Sequence, residues 1–216
     1  MISHHPDDSL LLAHAAGRLG AGDALLLAVH LEGCARCRAE LRLLEGLGGA
    51  LLEAAEPAPM APQALARTLA RIDASRAEVP LPAPAAHPPR PHGMAWPTAL
   101  ADCRISGWRW LAPGMRWSRV TLPRDASAHV FLLRIGAGRS LARHTHSGSE
   151  LTQVLCGRFD DGRAVFGPGD FDAADGDVHH QPIVQAGSEC ICLASVDGRL
   201  VFDGSVARLL GALIGM

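Results

Sequence analysis

With 216 residues, 48% hydrophobic and 19% charged, the chain has the make-up of one large or two small globular domains, which excludes disorder throughout. Its net charge of -2 leaves no basic domain, so direct nucleic-acid binding is disfavoured. No window offers the ~18–20 continuous apolar residues of a membrane span, and His14 and Arg18 interrupt the first apolar run, so neither membrane insertion nor export is expected and the chain reads as cytoplasmic with reduced thiols.

Residues 7–53 carry a helical period almost throughout, with Leu10, Leu11, His14 and Ala15 on one stripe and Leu25, Leu26, Val29 and His30 on a second. Gly20, Ala21 and Gly22 separate the two. A third helical stretch over 35–52 is expected to loosen at Gly46, Gly48 and Gly49 and to end before Pro57, Pro59 and Pro62. Residues 63–78 place Leu65, Leu69 and Ile72 on one face of a short amphipathic helix set between prolines, which must pack on something outside its own segment. The stretch 79–97 holds 7 of the 15 prolines and predicts an extended linker and a domain boundary. Beyond it the period changes. Runs at 117–122, 129–135, 151–156, 164–166, 189–196 and 199–202 are strand-like and separated by Gly, Asp and Pro turns, which predicts a β-sandwich or barrel. Residues 206–214 would close it as a helix or a strand.

Two stretches carry chemistry. In a helix, His30, Cys34 and Cys37 stand at i, i+4 and i+7, within about 60° of one another on one face. Structural zinc takes four such ligands, two thiolates neutralise its charge, and one further imidazole, from His4 or His5, would close a His2Cys2 tetrahedron. The metal would then staple a helical unit of about 50–75 residues, which is marginal on its own. Buried thiols on an apolar helix face are the plainer alternative, against which Gly33 argues. A redox C-x-x-C is the other, but no strand precedes it.

The pattern His30-x3-Cys34-x2-Cys37, with a His upstream and Leu-rich helices around it, resembles the zinc-binding anti-sigma domain of bacteria over about residues 1–78. Such domains clamp an extracytoplasmic-function sigma factor between their helices. The resemblance selects His5 as the upstream ligand, with His4 left open.

In the second half, Gly138-x5-His144-x-His146-x3-Glu150-x6-Gly157 places two His on the same side of a strand, and Ser147, Gly148 and Ser149 can bend the chain so that Glu150 joins them. Donors of N, N and O type suit Zn, Fe(II), Mn or Ni, and His179 or His180 could complete four. Adjacent strand residues face opposite sides, so only one of that pair can point inward. These residues match the first cupin motif at every spaced position. The second cupin motif is partial: Gly169-Asp170 stands for its Gly, but the intervening Pro is missing. Cys190 and Cys192, at i and i+2 on a strand, are either core packing or redox candidates lining the barrel.

An anti-sigma zinc domain followed by a linker and a cupin resembles the ChrR-type anti-sigma factors. In that family the cupin ligand His is followed, after one residue, by Pro, which selects His180 of His180-Gln181-Pro182. The resemblance implies a multidomain α + β chain: an all-α zinc-binding anti-sigma domain over 1–78, a Pro-rich linker over 79–97, and an all-β cupin (double-stranded β-helix) barrel over 98–216. It further implies two zinc ions per chain, one on His5, His30, Cys34 and Cys37 and one on His144, His146, Glu150 and His180, the second site being open to another divalent metal. The first domain would hold the sigma factor, with the 63–78 helix packed on it, and the cupin would trigger release on singlet oxygen or organic peroxide. The alternative is a metal-dependent cupin enzyme, a dioxygenase, isomerase or lyase, built on the second ligand set.

Overall fold

The Asp7 carboxylate accepts the backbone N–H of Leu10 at 2.8 Å and so caps the first helix, α1 (Asp8–Ala15), which ends at Gly17 in a left-handed conformation. The structure, a computed structural model, describes residues 1–74, 87–89 and 94–203. The linker expected at 79–97 lies mostly, and the closing segment at 206–214 wholly, outside the described residues.

Helices α2 (Ala21–Gly33) and α3 (Ala35–Ala54) follow, and α4 (Ala64–Ala74) accounts for the described part of the amphipathic 63–78 stretch. Two expectations are corrected. His30, Cys34 and Cys37 do not share one helix: Cys34 has extended backbone (φ -105, ψ 100), ends α2 and caps α3, its Sγ accepting the Cys37 N–H at 3.4 Å. Gly33 is the last residue of α2, and the chain turns at Cys34. Nor does α3 loosen at Gly46, Gly48 and Gly49. It runs unbroken to Ala54, because each interior glycine costs only about 1 kcal/mol and strong helix formers surround them.

Among the described residues that follow are twelve antiparallel strands: β1 (Arg104–Ile105), β2 (Arg109–Ala112), β3 (Met115–Thr121), β4 (Val130–Ile135), β5 (His144–His146), β6 (Ser149–Cys156), β7 (Phe159–Asp160), β8 (Val165–Phe166), β9 (Phe171–Ala174), β10 (Ile183–Val184), β11 (Cys190–Asp197) and β12 (Leu200–Phe202). A seven-stranded sheet runs β1-β3-β4-β11-β6-β9 with β2 on the side of β3, and it faces the smaller sheets β10-β7-β8 and β12-β5. The short, regularly spaced strands predict a sandwich or barrel, and this is the cupin-like arrangement that the motif resemblance implies.

Strand β11 sits at the centre of the large sheet and is buried along both faces. Its alternation divides two cores. Cys190, Cys192, Ala194 and Val196 point into the barrel with Trp117, Phe131, Leu133, Val154 and Phe159. Ile191 and Leu193 point outward, where Leu132 and Leu151 join them and Leu26 and Val29 of α2 cover the sheet. The helical unit is therefore not a separate bundle: one face of α2 is part of the barrel's outer core. The approach is close enough that a β-carbon on Gly22 would fall 2.5 Å from Ser195 Oγ and 2.9 Å from Val130 Cγ2. Beside it Ser195 Oγ donates to Asp23 at 2.8 Å, and at the far end of α2 Glu32 accepts the N–H groups of Thr98 and Ala99 at 3.0 and 2.6 Å.

Candidate metal centres

Two groups of four donor side chains, each with its ligand atoms within 4.8 Å of one another, lie on opposite sides of the large sheet. The first joins His5, His30, Cys34 and Cys37. His5 Nδ1 is 3.3 Å from Cys34 Sγ and 3.4 Å from Cys37 Sγ, and His30 Nε2 is 3.4 Å from Cys37 Sγ. Tetrahedral zinc with two sulfur and two nitrogen ligands needs S···N edges of about 3.5 Å, so the donors fit. Burial holds both imidazoles below their ordinary value, and burial together with Cys34 pushes the Cys37 thiol up to about 12. Neutral imidazoles beside a Cys37 thiol that burial keeps from ionising unless a cation is present make a donor set that could hold a metal ion.

The corner at Cys34 is what brings the thiols together, and the barrel brings the imidazoles. Asp170 Oδ1 accepts the N–H groups of Ser3 and His4 at 2.6 and 3.0 Å, and Phe171 donates to His4 O at 3.1 Å. The terminal segment is thereby laid along the start of β9. It turns the His4 ring toward Asp170, 3.4 Å away, and onto Phe166, and it turns His5 toward the thiols.

The second group joins His144, His146, Glu150 and His180 inside the barrel, all four buried. Strand β5 pairs with β12, so that His144 lies opposite Phe202 and His146 opposite Leu200, and a bridge links His144 to His180. His144 Nδ1 donates to Ala142 O at 2.8 Å, His146 Nδ1 to Asp175 O at 3.3 Å, and His180 Nδ1 faces the Asp161 carboxylate at 3.5 Å. With every Nδ1 proton directed outward, the Nε2 lone pairs converge. Those of His144 and His180 stand 3.1 Å apart, and that of His146 is 2.6 Å from Glu150 Oε2. Burial would push the Glu150 carboxyl up, but His144 and His146 outweigh it and pull it down to about 2. Burial, with His144 alongside, pulls His180 down to about 4. Against burial, Glu150 holds the His146 imidazole above its ordinary value, so a proton can occupy this contact; the same three nitrogens and one oxygen are a set that accepts any of several divalent metals.

His179 is exposed and faces Asp203 at 3.1 Å, outside the group. Cys190 and Cys192 line the same cavity as His144, Glu150 and His180, with their sulfurs 3.6 Å apart. The closing Gly157 of the motif has φ +73, and a β-carbon there would strike Glu189 O at 2.2 Å. The sequence reading missed the support of this site. Arg163 binds both Asp161 and Asp172, at 2.5 and 2.8 Å, beneath His180. Burial, reinforced by Asp161 and Glu150, raises the Asp172 carboxyl to about 6 despite Arg163. Among the described residues no helix is long and apolar enough to cross a membrane.

A family profile described as the ChrR cupin-like domain matches residues 97–197. The chain is 38% identical, over 97% of its own length and 96% of the relative's, to the anti-sigma-E factor ChrR of Cereibacter sphaeroides. Among solved structures it is similar to a chain of the Rhodobacter sphaeroides complex of SigE with the anti-sigma ChrR, with a TM-score of 0.71 and 33% identity over 91% of this chain and 100% of that one.

Proposed function

Since the chain belongs to the ChrR family of anti-sigma factors, we propose that it sequesters an extracytoplasmic-function sigma factor and frees it when singlet oxygen or organic peroxide acts on the cupin site. The family relationship makes it a regulator rather than an enzyme, and the crystallised relative carries SigE as its partner. One observation on this chain carries the reading furthest. Leu47 and Leu51 of α3, and Leu65, Leu69 and Ile72 of α4, are exposed, on helices whose apolar faces are not covered by the barrel. Apolar faces of this kind fit a partner that lies between the helices.

The proposed division is a zinc-binding anti-sigma domain over 1–78, a linker over 79–97 and a cupin over 98–216. Zinc on His5, His30, Cys34 and Cys37 would fix the corner between α2 and α3 from which α3 projects. A second divalent ion, zinc in this reading, would be held by His144, His146, Glu150 and His180, with Cys190 and Cys192 as the thiols that an oxidant entering the cavity meets. Because α2 is packed on β6 and β11, a change inside the barrel bears on the sigma-binding half through that contact.

The test is co-expression with a sigma factor of this class, co-purification, and transcription from a promoter that this sigma factor reads. Capture and inhibition are expected, with loss of both in Cys34→Ser plus Cys37→Ser. A double variant that has lost its zinc and still inhibits would sink the zinc-dependent part, and a wild-type chain that never captures the sigma factor would sink the whole.

A further inference from the structure

Both ring nitrogens of His30 are accounted for by geometry, and the partners of Nδ1 come from the other half of the chain. Its Nδ1 lies 3.2 Å from Gln153 Oε1 on β6 and 3.1 Å from the backbone oxygen of Gly169, in the turn before β9. Both are acceptors, so Nδ1 carries the proton and Nε2 presents its lone pair toward Cys37. The Gln153 amide cannot flip without loss, because its Nε2 donates to Val154 O at 3.3 Å. Gln153 and His30 are buried to 2% and 1% exposure, so water does not replace this contact.

We infer that Gln153 is a positioning residue for the N-terminal metal site, and that the barrel, through it, sets how tightly that site holds its ion. Neither thiol has a barrel partner of this kind among the contacts described above, whereas His30 is oriented by Gln153 and His5 by the segment tied to Asp170 and Phe171. Gln153 also stands three positions after Glu150 on the same strand. Successive residues alternate in direction, so Glu150 points into the barrel with the second donor group and Gln153 points out at the first. One strand thus touches both metal sites, and a shift of β6 that relaxes Glu150 also moves the acceptor of His30. Partners that orient a ligand imidazole are typically worth about 10–100-fold in metal affinity.

The inference rests on the reading that His5, His30, Cys34 and Cys37 bind zinc. Its test uses the full-length chain with Co(II) in place of zinc, read by the thiolate-to-metal absorption that only the Cys-containing site gives. Release to a chelator is followed for wild type, Gln153→Met, which has no acceptor at the ring, and Gln153→Glu, which keeps one. The Met variant should lose the band about 10-fold faster or more, and the Glu variant should release at nearly the wild-type rate. Thermal unfolding and circular dichroism of each loaded variant check that the barrel is intact, and a Met variant that is folded yet releases at the wild-type rate overturns the inference alone. So does a Glu variant as fast as the Met variant. A wild-type chain with no thiolate band overturns the zinc assignment along with it.

Discussion

Gly22 and Ser195 meet so closely that the helix α2 and the strand β11 behave as one packed unit, with room for a hydrogen atom but not for a methyl group. Val at position 22 would push α2 away from the sheet. Gly22→Val should destabilise the chain by about 1–3 kcal/mol, the usual cost of overpacking, although valine has the higher helix propensity. Urea unfolding measures the loss, and hydrogen exchange should show it concentrated in the amides of α2 and β11. Unchanged exchange there would mean that α2 is not held by this contact.

Asp23, bonded to the same Ser195, gives the docking a pH dependence. Burial, with Asp197 nearby, raises its carboxyl above the ordinary value of 3.8, against the opposing bond from Ser195. The folded chain therefore keeps a proton that the unfolded chain releases. The stabilisation is complete below the unfolded value and declines as pH rises through the raised one. As pH rises above about 4 the wild type should lose stability relative to Asp23→Asn, whose amide does not ionise, until the raised folded-state value has been passed. Parallel pH profiles for the two proteins would count against this assignment.

The cupin donors should be separable from capture of the sigma factor. His144→Ala with Glu150→Ala is expected to remove one metal ion per chain and to leave sigma binding intact while abolishing release by oxidant. Elemental analysis and fluorescence anisotropy with labelled sigma factor read the two effects. A double variant that still releases normally would take the sensor role away from this site.

The buried group beneath His180 gives a sharper contrast. Asp161→Asn removes the charge that faces His180 Nδ1 and leaves Arg163 paired with Asp172 alone, so the second ion should be held about 10–100-fold less tightly. His179→Ala, one residue along but outside the barrel, should have no effect. Competition with a metal indicator distinguishes them, and equal affinities for the two variants would show that Asp161 does not position the ligand.

What the sequence disclosed and what it hid divide along a physical line. The six runs read as strands are all strands, because each is long or apolar enough for alternation to register. Strands β1, β2, β7, β9 and β10 escaped, being two to four residues long and defined by partners rather than by pattern. The spacing of His30, Cys34 and Cys37 was visible but its cause was misread, since a corner at Cys34, signalled by Gly33, does what a continuous helix was expected to do. The choice between His4 and His5 depends on Asp170, 166 residues away from His4, and no local rule reaches that far. Asp161 and Arg163 look like turn residues in Asp160-Asp161-Gly162-Arg163, and only the curl of the sheets buries Asp161 with Asp172.

The contact between His30 and Gln153 spans 123 residues of chain. At a synthesis rate of about 5–20 residues per second, all four donors of the first site leave the ribosome roughly 6–25 s before the acceptor that orients one of them. A nascent chain therefore passes through a stage with a complete set of thiols and imidazoles whose rings still turn freely. If these residues bind zinc as proposed, the ion would be met by a loose site first and the barrel would lock it afterwards.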